Sequence, residues 1–268
     1  MALTDFNEYA DKLKENRASD FTTSTVRILR PNANWQYFQP SPATPTTSVA
    51  LDKNSLQSMG NIPAVSTGRL TMLGARVSTS TYGAASMMVV DLLNVSGGLN
   101  ATLTTAQTTN LPTAPLTRYT SGEGVMAGIV VYTQVGNTVT TVTISYTNSA
   151  GVSGRTSTAT TIGAGFYREV GLLIPIPLQA GDTGIRSIES VTLAATTGSA
   201  GNFGVCLFKP LSMISLEDAT GTMPLDSVST GCIIGSLCEI HPDACLTFSV
   251  ITAVSYTSIL GAVILTEA

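Results

Sequence analysis

The 268-residue chain is short of ionic groups. Only 11% of its residues are Asp, Glu, Lys or Arg, against about 25% in an average soluble protein. It has one histidine, one tryptophan and four cysteines, and aromatics make up 6%. Hydrophobic content is an ordinary 43%. The missing charges are therefore replaced by Thr, Ser, Gly and Asn, residues that suit pleated strands and tight turns. There is no run of Lys or Arg, and the net charge is −4. Direct nucleic-acid binding, which needs cations clustered against phosphate, is not expected. The opening Met-Ala-Leu-Thr-Asp-Phe-Asn-Glu has no basic or apolar signal region and does not read as a secretory leader. The uncharged stretch 244–266 is long enough to cross a bilayer. It is interrupted by hydroxyl groups from Thr247 to Ser258 and has no flanking Lys or Arg, so it reads as two strands joined near 255–258, not as a membrane span.

Catalytic constellations are equally scarce. A Ser-His-Asp or Cys-His arrangement would have to use His241, and no motif marks its partners. Gly151-Val152-Ser153-Gly154 lacks the spacing of a nucleophile elbow and reads as a hairpin turn. Gly122-Glu123-Gly124 precedes no helix and so makes no phosphate cradle. The carboxylates Glu123, Glu169, Asp182 and Glu189 stand isolated along the chain, without an evident acid–base pairing. Cys232, Cys238, His241 and Cys245 are the right ligand types for tetrahedral zinc. They lack a Cys-x-x-Cys knuckle, and Pro242 follows the histidine, so the default is buried thiols acting as small apolar groups. The expectation is a non-enzymatic protein without metal or cofactor.

What is present has a clear order along the chain. Ten of the thirty charged residues fall within residues 1–30. Residues 3–17 read as a short helix with Thr4 as N-cap and an apolar stripe of Leu3, Phe6, Ala10 and Leu13. Residues 18–66 are punctuated by Pro31, Pro40, Pro42, Pro45 and Pro63, yet hold Ile28, Trp35, Tyr37 and Phe38. That pattern reads as an extended arm lying on a protein surface. Phe6, Leu13, Ile28, Trp35, Tyr37 and Phe38 are the candidate subunit contacts.

From residue 67 to 210 the period becomes two, with eight candidate strands: Arg69–Ser78, Ser86–Leu93, Val125–Thr133, Thr138–Thr147, Thr156–Ile162, Phe166–Ile174, Ile188–Ala195 and Phe203–Lys209. Gly136-Asn137 and Asn148-Ser149-Ala150-Gly151 read as hairpin turns. After Pro210 the periodicity fades, and residues 211–268 offer three further short runs, which belong to the same domain or add to a neighbour's sheet. The fold class expected is all-β: an antiparallel, jelly-roll-like sandwich with a short N-terminal helix and arm. So large a body with so few charges is poorly protected against association, and homo-oligomerisation is expected.

The acidic N-terminal helix, the Pro-rich arm and the Thr/Gly/Ser-rich sandwich, with stretches such as Val142-Thr143-Ile144-Ser145-Tyr146-Thr147-Asn148 and Gly154-Arg155-Thr156, resemble tailed-bacteriophage virion proteins. Among these the chain most resembles jelly-roll capsid decoration, or cement, proteins. The resemblance implies assembly in the host cytoplasm, a place on the capsid surface, attachment to the major capsid protein or other virion subunits, and a trimeric state. A tail, baseplate or fibre component and a glycan-binding adhesin module are the alternatives.

Overall fold

The computed structural model describes residues 22–24, 49–55, 58, 70–79, 85–113, 115–168, 170, 173–216, 223–226, 238–250 and 259–267. The expected helix at 3–17, the six candidate contact residues and Cys232 lie outside the described residues. In chain order the strands are β1 (Thr22–Ser24), β2 (Val49–Ala50), β3 (Leu70–Thr79), β4 (Ala85–Val95), β5 (Gln107–Thr108), β6 (Met126–Thr133), β7 (Thr140–Asn148), β8 (Arg155–Thr156) and β9 (Thr160–Ile162). They continue with β10 (Leu173–Ile176), β11 (Ile185–Leu193), β12 (Asn202–Leu216), β13 (Met223–Asp226), β14 (Cys238–Ile240), β15 (Leu246–Val250) and β16 (Ile259–Glu267). Short 3₁₀ turns occupy Leu111–Thr113 and Gly165–Arg168.

From β4 to β12 the chain is a rolled-up hairpin. β4 pairs with β12, β5 with β11, β6 with β10, and β7 with β8 and β9, all antiparallel. First thus pairs with last, and the pairing closes inward to the middle. These pairs are shared between two sheets. The inner sheet runs β10-β6-β12-β4-β15, with β2 also on β4; the outer runs β5-β11-β7-β8, with β9 also on β7. This is the expected antiparallel sandwich, in jelly-roll order. A third sheet runs β1-β16-β3-β13, with β14 also on β3.

The residue pattern explains why the two sheets differ. In β7, Val142, Ile144 and Tyr146 are buried, while Thr141, Thr143, Ser145 and Thr147 are only partly covered. The strand therefore has one apolar and one hydroxyl face. Across the sheet the hydroxyl residues fall in register: Thr108 opposite Ser190, Ser190 opposite Ser145, and Ser145 opposite Thr156. By contrast, β6 (Met-Ala-Gly-Ile-Val-Val-Tyr-Thr) is a nearly continuous apolar run, as a strand covered on both sides should be. Its Ala127, Ile129 and Val131 join the core between the sheets, with Phe203, Val205, Ile188 and Val191. Its Val130 and Tyr132 belong to a second apolar cluster with Leu92, Cys206, Phe208, Leu51 and Cys245. Full burial of side chains of this kind stabilises by roughly 1.5–3 kcal/mol each.

Four local expectations are corrected. Gly136-Asn137 does not close a hairpin: it carries the chain from β6 in the inner sheet to β7 in the outer. Phe166–Ile174 is not one strand: Gly163, Ala164 and Gly165 take positive φ and lead into the 3₁₀ turn Gly165–Arg168, and strand β10 starts only at Leu173. Thr156–Ile162 is split where Ser157 leaves the ladder: its N–H donates to the Ile144 carbonyl, and its Oγ accepts from Ile144 N–H. Finally, β12 does not stop at Pro210. A register shift between Pro210 and Ser212 takes up the missing donor, and pairing with β4 resumes to Leu216. At the C-terminal end, β15 and β16 are two strands, as expected for 244–266, but they belong to different sheets. Among the described residues no helix is long and apolar enough to cross a membrane.

Candidate interaction surface

Four connections meet at one end of the sandwich: 96–106 between β4 and β5, 134–139 between β6 and β7, 163–172 between β9 and β10, and 194–201 between β11 and β12. Thr197, fully buried, is the hub of the first, second and fourth. Its N–H donates to the Ala101 carbonyl (2.9 Å), and its carbonyl accepts from Thr138 N–H (3.0 Å). Its hydroxyl accepts from Gly136 N–H (3.0 Å) and lies within hydrogen-bonding reach of the Ala101 and Ser199 carbonyls. Glycine is required where these loops touch. A Cβ on Gly136 would stand 1.8 Å from the Thr197 carbonyl oxygen, and one on Gly163 would stand 2.3 Å from that of Thr138. The Ala200 carbonyl accepts from Ala101 N–H (2.8 Å), so the first and last of the four loops are also joined directly.

On this fixed frame sit Leu103 (46% exposed), Val139 (61%), Tyr167 (44%) and Val170 (38%). They are four of the seven exposed large hydrophobic residues among the described residues. Arg168 is the one described charge in these loops, and its Nε is buried without a hydrogen-bond partner. The described residues of the tip therefore present apolar side chains among hydroxyls and backbone, with Arg168 as their single charge.

The opposite end is chemically different. There Asp182 accepts hydrogen bonds from Tyr146 Oη, Asn148 Nδ2 (2.8 Å) and the Arg155 guanidinium (Nε 3.0 Å, Nη2 3.1 Å). The Tyr146 hydroxyl, with Arg155 and Asn148 after it, holds the Asp182 carboxyl down at about 2. Arg186 donates to the carbonyls of Ser121 (3.1 Å) and Ser149 (2.6 Å). Lys209 donates to the Glu123 carbonyl (2.9 Å) and stands 5.7 Å from the Tyr119 ring centre. The charges at this end are spent on internal fastening.

Comparison with known proteins adds little at the level of sequence. No family model matches the chain, and no curated relative matches it. Among solved structures, the infectious bursal disease virus VP2 subviral particle aligns over 92% of this chain and 80% of its own, at 10% identity and a TM-score of 0.22. Structures of the Gt and Gx strains of that virus align over the same shares at 11% identity and a TM-score of 0.18. The fold assignment rests instead on the strand pairing above.

The residues singled out as metal candidates occupy separate settings. Cys238 lies in β14, opposite Met72 of β3. His241 follows it, and its Nδ1 accepts from Asp243 N–H (3.1 Å). Cys245 is buried in the second apolar cluster, and its N–H donates to Asp91 Oδ1 (2.8 Å). Among the described residues no three His, Cys, Asp or Glu side chains come together as a metal site. Cys206 lies in the same apolar cluster, and burial pushes its thiol well above the usual range. The carboxylates are likewise dispersed. Glu123 is exposed and accepts from Thr183 Oγ1 (2.8 Å), Glu189 accepts from Thr147 (2.6 Å) and Ser187 (2.9 Å), and Glu169 lies outside the described residues. The tip was missed by sequence reasoning. Sequence periodicity places Val139 in the candidate strand Thr138–Thr147 and Tyr167 and Val170 in Phe166–Ile174, whereas β7 starts only at Thr140 and β10 only at Leu173, which leaves all three in connections.

Proposed function

We propose that this chain is a virion structural protein that binds a capsid shell and stabilises it by bridging shell subunits, as a cement or decoration protein acting as a homo-oligomer, with a trimer favoured. The observation that carries the reading is the tip, where four adjoining loops, three of them joined by hydrogen bonds at Thr197, offer Leu103, Val139, Tyr167 and Val170 to a partner. The jelly roll is compatible with it, since capsid shells, lectins and cupins all use this architecture, although architecture alone does not name a function. A ligand site inside the roll has little support, because the space between the sheets is filled by buried Val, Ile, Leu, Phe and Tyr. The expected mechanism is burial of apolar and hydroxyl-rich surface between subunits, with the part of the expected arm that lies between β1 and β2 acting on a neighbour.

The test is co-sedimentation with empty shells from the particles that contain the chain. Wild-type protein should pellet with shells, and a Val139→Asp/Tyr167→Asp double variant should bind at least about tenfold more weakly, as expected when charge is placed in a desolvated contact. Failure of the wild-type chain to bind shells, together with a monomeric state, would overturn the reading. A second reading is favoured by the complete first-with-last strand pairing: the chain builds a shell and does not decorate one. Closed particles formed by the purified chain alone would select it, and glycan-dependent binding at Tyr167 would select an adhesin.

A further inference from the structure

Two segments far apart in the chain, one after β2 and one before β15, meet beside β4 of the inner sheet. From the N-terminal side, Leu51 N–H donates to the Leu93 carbonyl of β4 (2.7 Å). From the C-terminal side, the Cys245 carbonyl accepts from Leu92 N–H of the same strand (3.0 Å). Between them lies the ion pair of Asp91, on β4, and Arg118, from the spacer leading to β6, with side chains only 0% and 2% exposed. Arg118 Nε donates to Asp91 Oδ2 (2.8 Å) and Nη2 donates to Oδ1 (2.6 Å), a bidentate fork. Nη2 also donates to the Leu92 carbonyl (2.7 Å), and Nη1 donates to the Leu51 carbonyl (2.7 Å). Asp91 Oδ1 accepts in turn from Cys245 N–H (2.8 Å).

A buried ion pair is weak evidence for stability, because removing two charges from water offsets their attraction. Burial indeed pushes the Asp91 carboxyl above its ordinary value, against the pull of Arg118. What the pair supplies is connection. One guanidinium and one carboxylate together hold β4, the 118 spacer, the segment after β2 and the segment before β15. A depression bordered by Asp52, Arg118, His241 and Asp243 adjoins the guanidinium, and Lys53 bridges to Asp243 (3.2 Å) across the same two segments.

We propose that Arg118 is a latch that attaches the segments 49–55 and 241–247 to the sandwich as one unit, so that neither detaches without the other. Its bearing on assembly rests on the reading above. A pull on the chain between β1 and β2 would then be carried into β4 and the segment before β15, and not by the two-residue pairing of β2 alone.

The test is amide hydrogen exchange on the isolated full-length chain. Arg118→Lys keeps the positive charge but cannot reproduce the fork or reach both carbonyls. Asp91→Leu/Arg118→Met removes the pair without leaving a lone buried charge. In both variants the Leu51 and Leu92 amides should exchange at least about tenfold faster, while the amides of β7 hold their rates, as for a local opening. Leu51→Pro, which deletes the N-terminal hydrogen bond together with a buried leucine side chain but leaves Asp91 and Arg118 in place, should also speed exchange at Leu92. Independent responses at Leu51 and Leu92, or an equal rise at every amide, would overturn the latch. No particle enters this experiment, so its failure leaves the assembly reading standing, and loss of shell binding leaves the latch standing.

Discussion

The two sheets of the sandwich solve the scarcity of charge in different ways. The inner sheet is apolar on both faces, and the buried ion pair Asp91–Arg118 serves as an internal fastener. The outer sheet buries one face and solvates the other with Thr and Ser, and its charged network, Arg155–Asp182 with Tyr146 and Asn148, ties strand ends together at the rim. In both, charge is used for holding the fold, not for coating it. Hydroxyls keep a surface wetted but do not repel a second neutral surface as like charges do, which leaves the apolar tip open to association.

The largest effect should come from breaking the inner fastener on one side only. Arg118→Met leaves a carboxylate buried without its partner and should cost about 3–5 kcal/mol, read as a lower urea midpoint. Val130→Thr, in the second apolar cluster of the inner sheet, keeps the shape but buries a hydroxyl. It should cost about 1–3 kcal/mol in the same assay. An unchanged midpoint for Val130→Thr would mean that the second face of the inner sheet is open to water, and the contrast between the sheets would fail.

Much of this division was legible in the sequence. The alternation from Val142 to Thr147 gave the two faces of β7 directly, because strand side chains alternate with a period of two. Partner choice was not legible, since periodicity says which way a side chain points and not which strand lies beside it. Gly136-Asn137 has hairpin chemistry but connects two sheets, and Pro210 ended the readable pattern while a bulge let β12 continue. The latch had a signal that went unread: Asp91 is a single acid within Met-Met-Val-Val-Asp-Leu-Leu, and Arg118 is a single base in a Thr-rich spacer. An isolated charge in an apolar run demands a buried partner of opposite sign.

The outer network should reveal itself through pH. Asp182 titrates at about 2 in the folded chain, below the ~3.9 of an unfolded aspartate. Its contribution is therefore fully present above ~3.9 and is lost as pH falls through the folded value. Asp182→Asn should be less stable than wild type near neutrality, and urea unfolding across the acid range should show the gap closing toward pH ~2. A gap independent of pH would mean that the network owes its effect to shape and not to charge.

The smallest effect should come from the mirror image of the Val130 substitution. Thr143→Val on the outer face keeps the branched shape and the strand preference and removes a hydroxyl that lies opposite Thr192. Stability should stay within about 0.5 kcal/mol of wild type, because a partly covered hydroxyl exchanges protein contacts for water at little net gain. Solubility should respond more than stability. Extending the change to Thr141, Thr143 and Ser145 turns one strand of the hydroxyl face apolar, and sedimentation should then show association through that face in addition to the tip. If the triple variant keeps the wild-type oligomeric state, the hydroxyls are not what holds the outer face apart from neighbours, and protection must come from the rim charges instead.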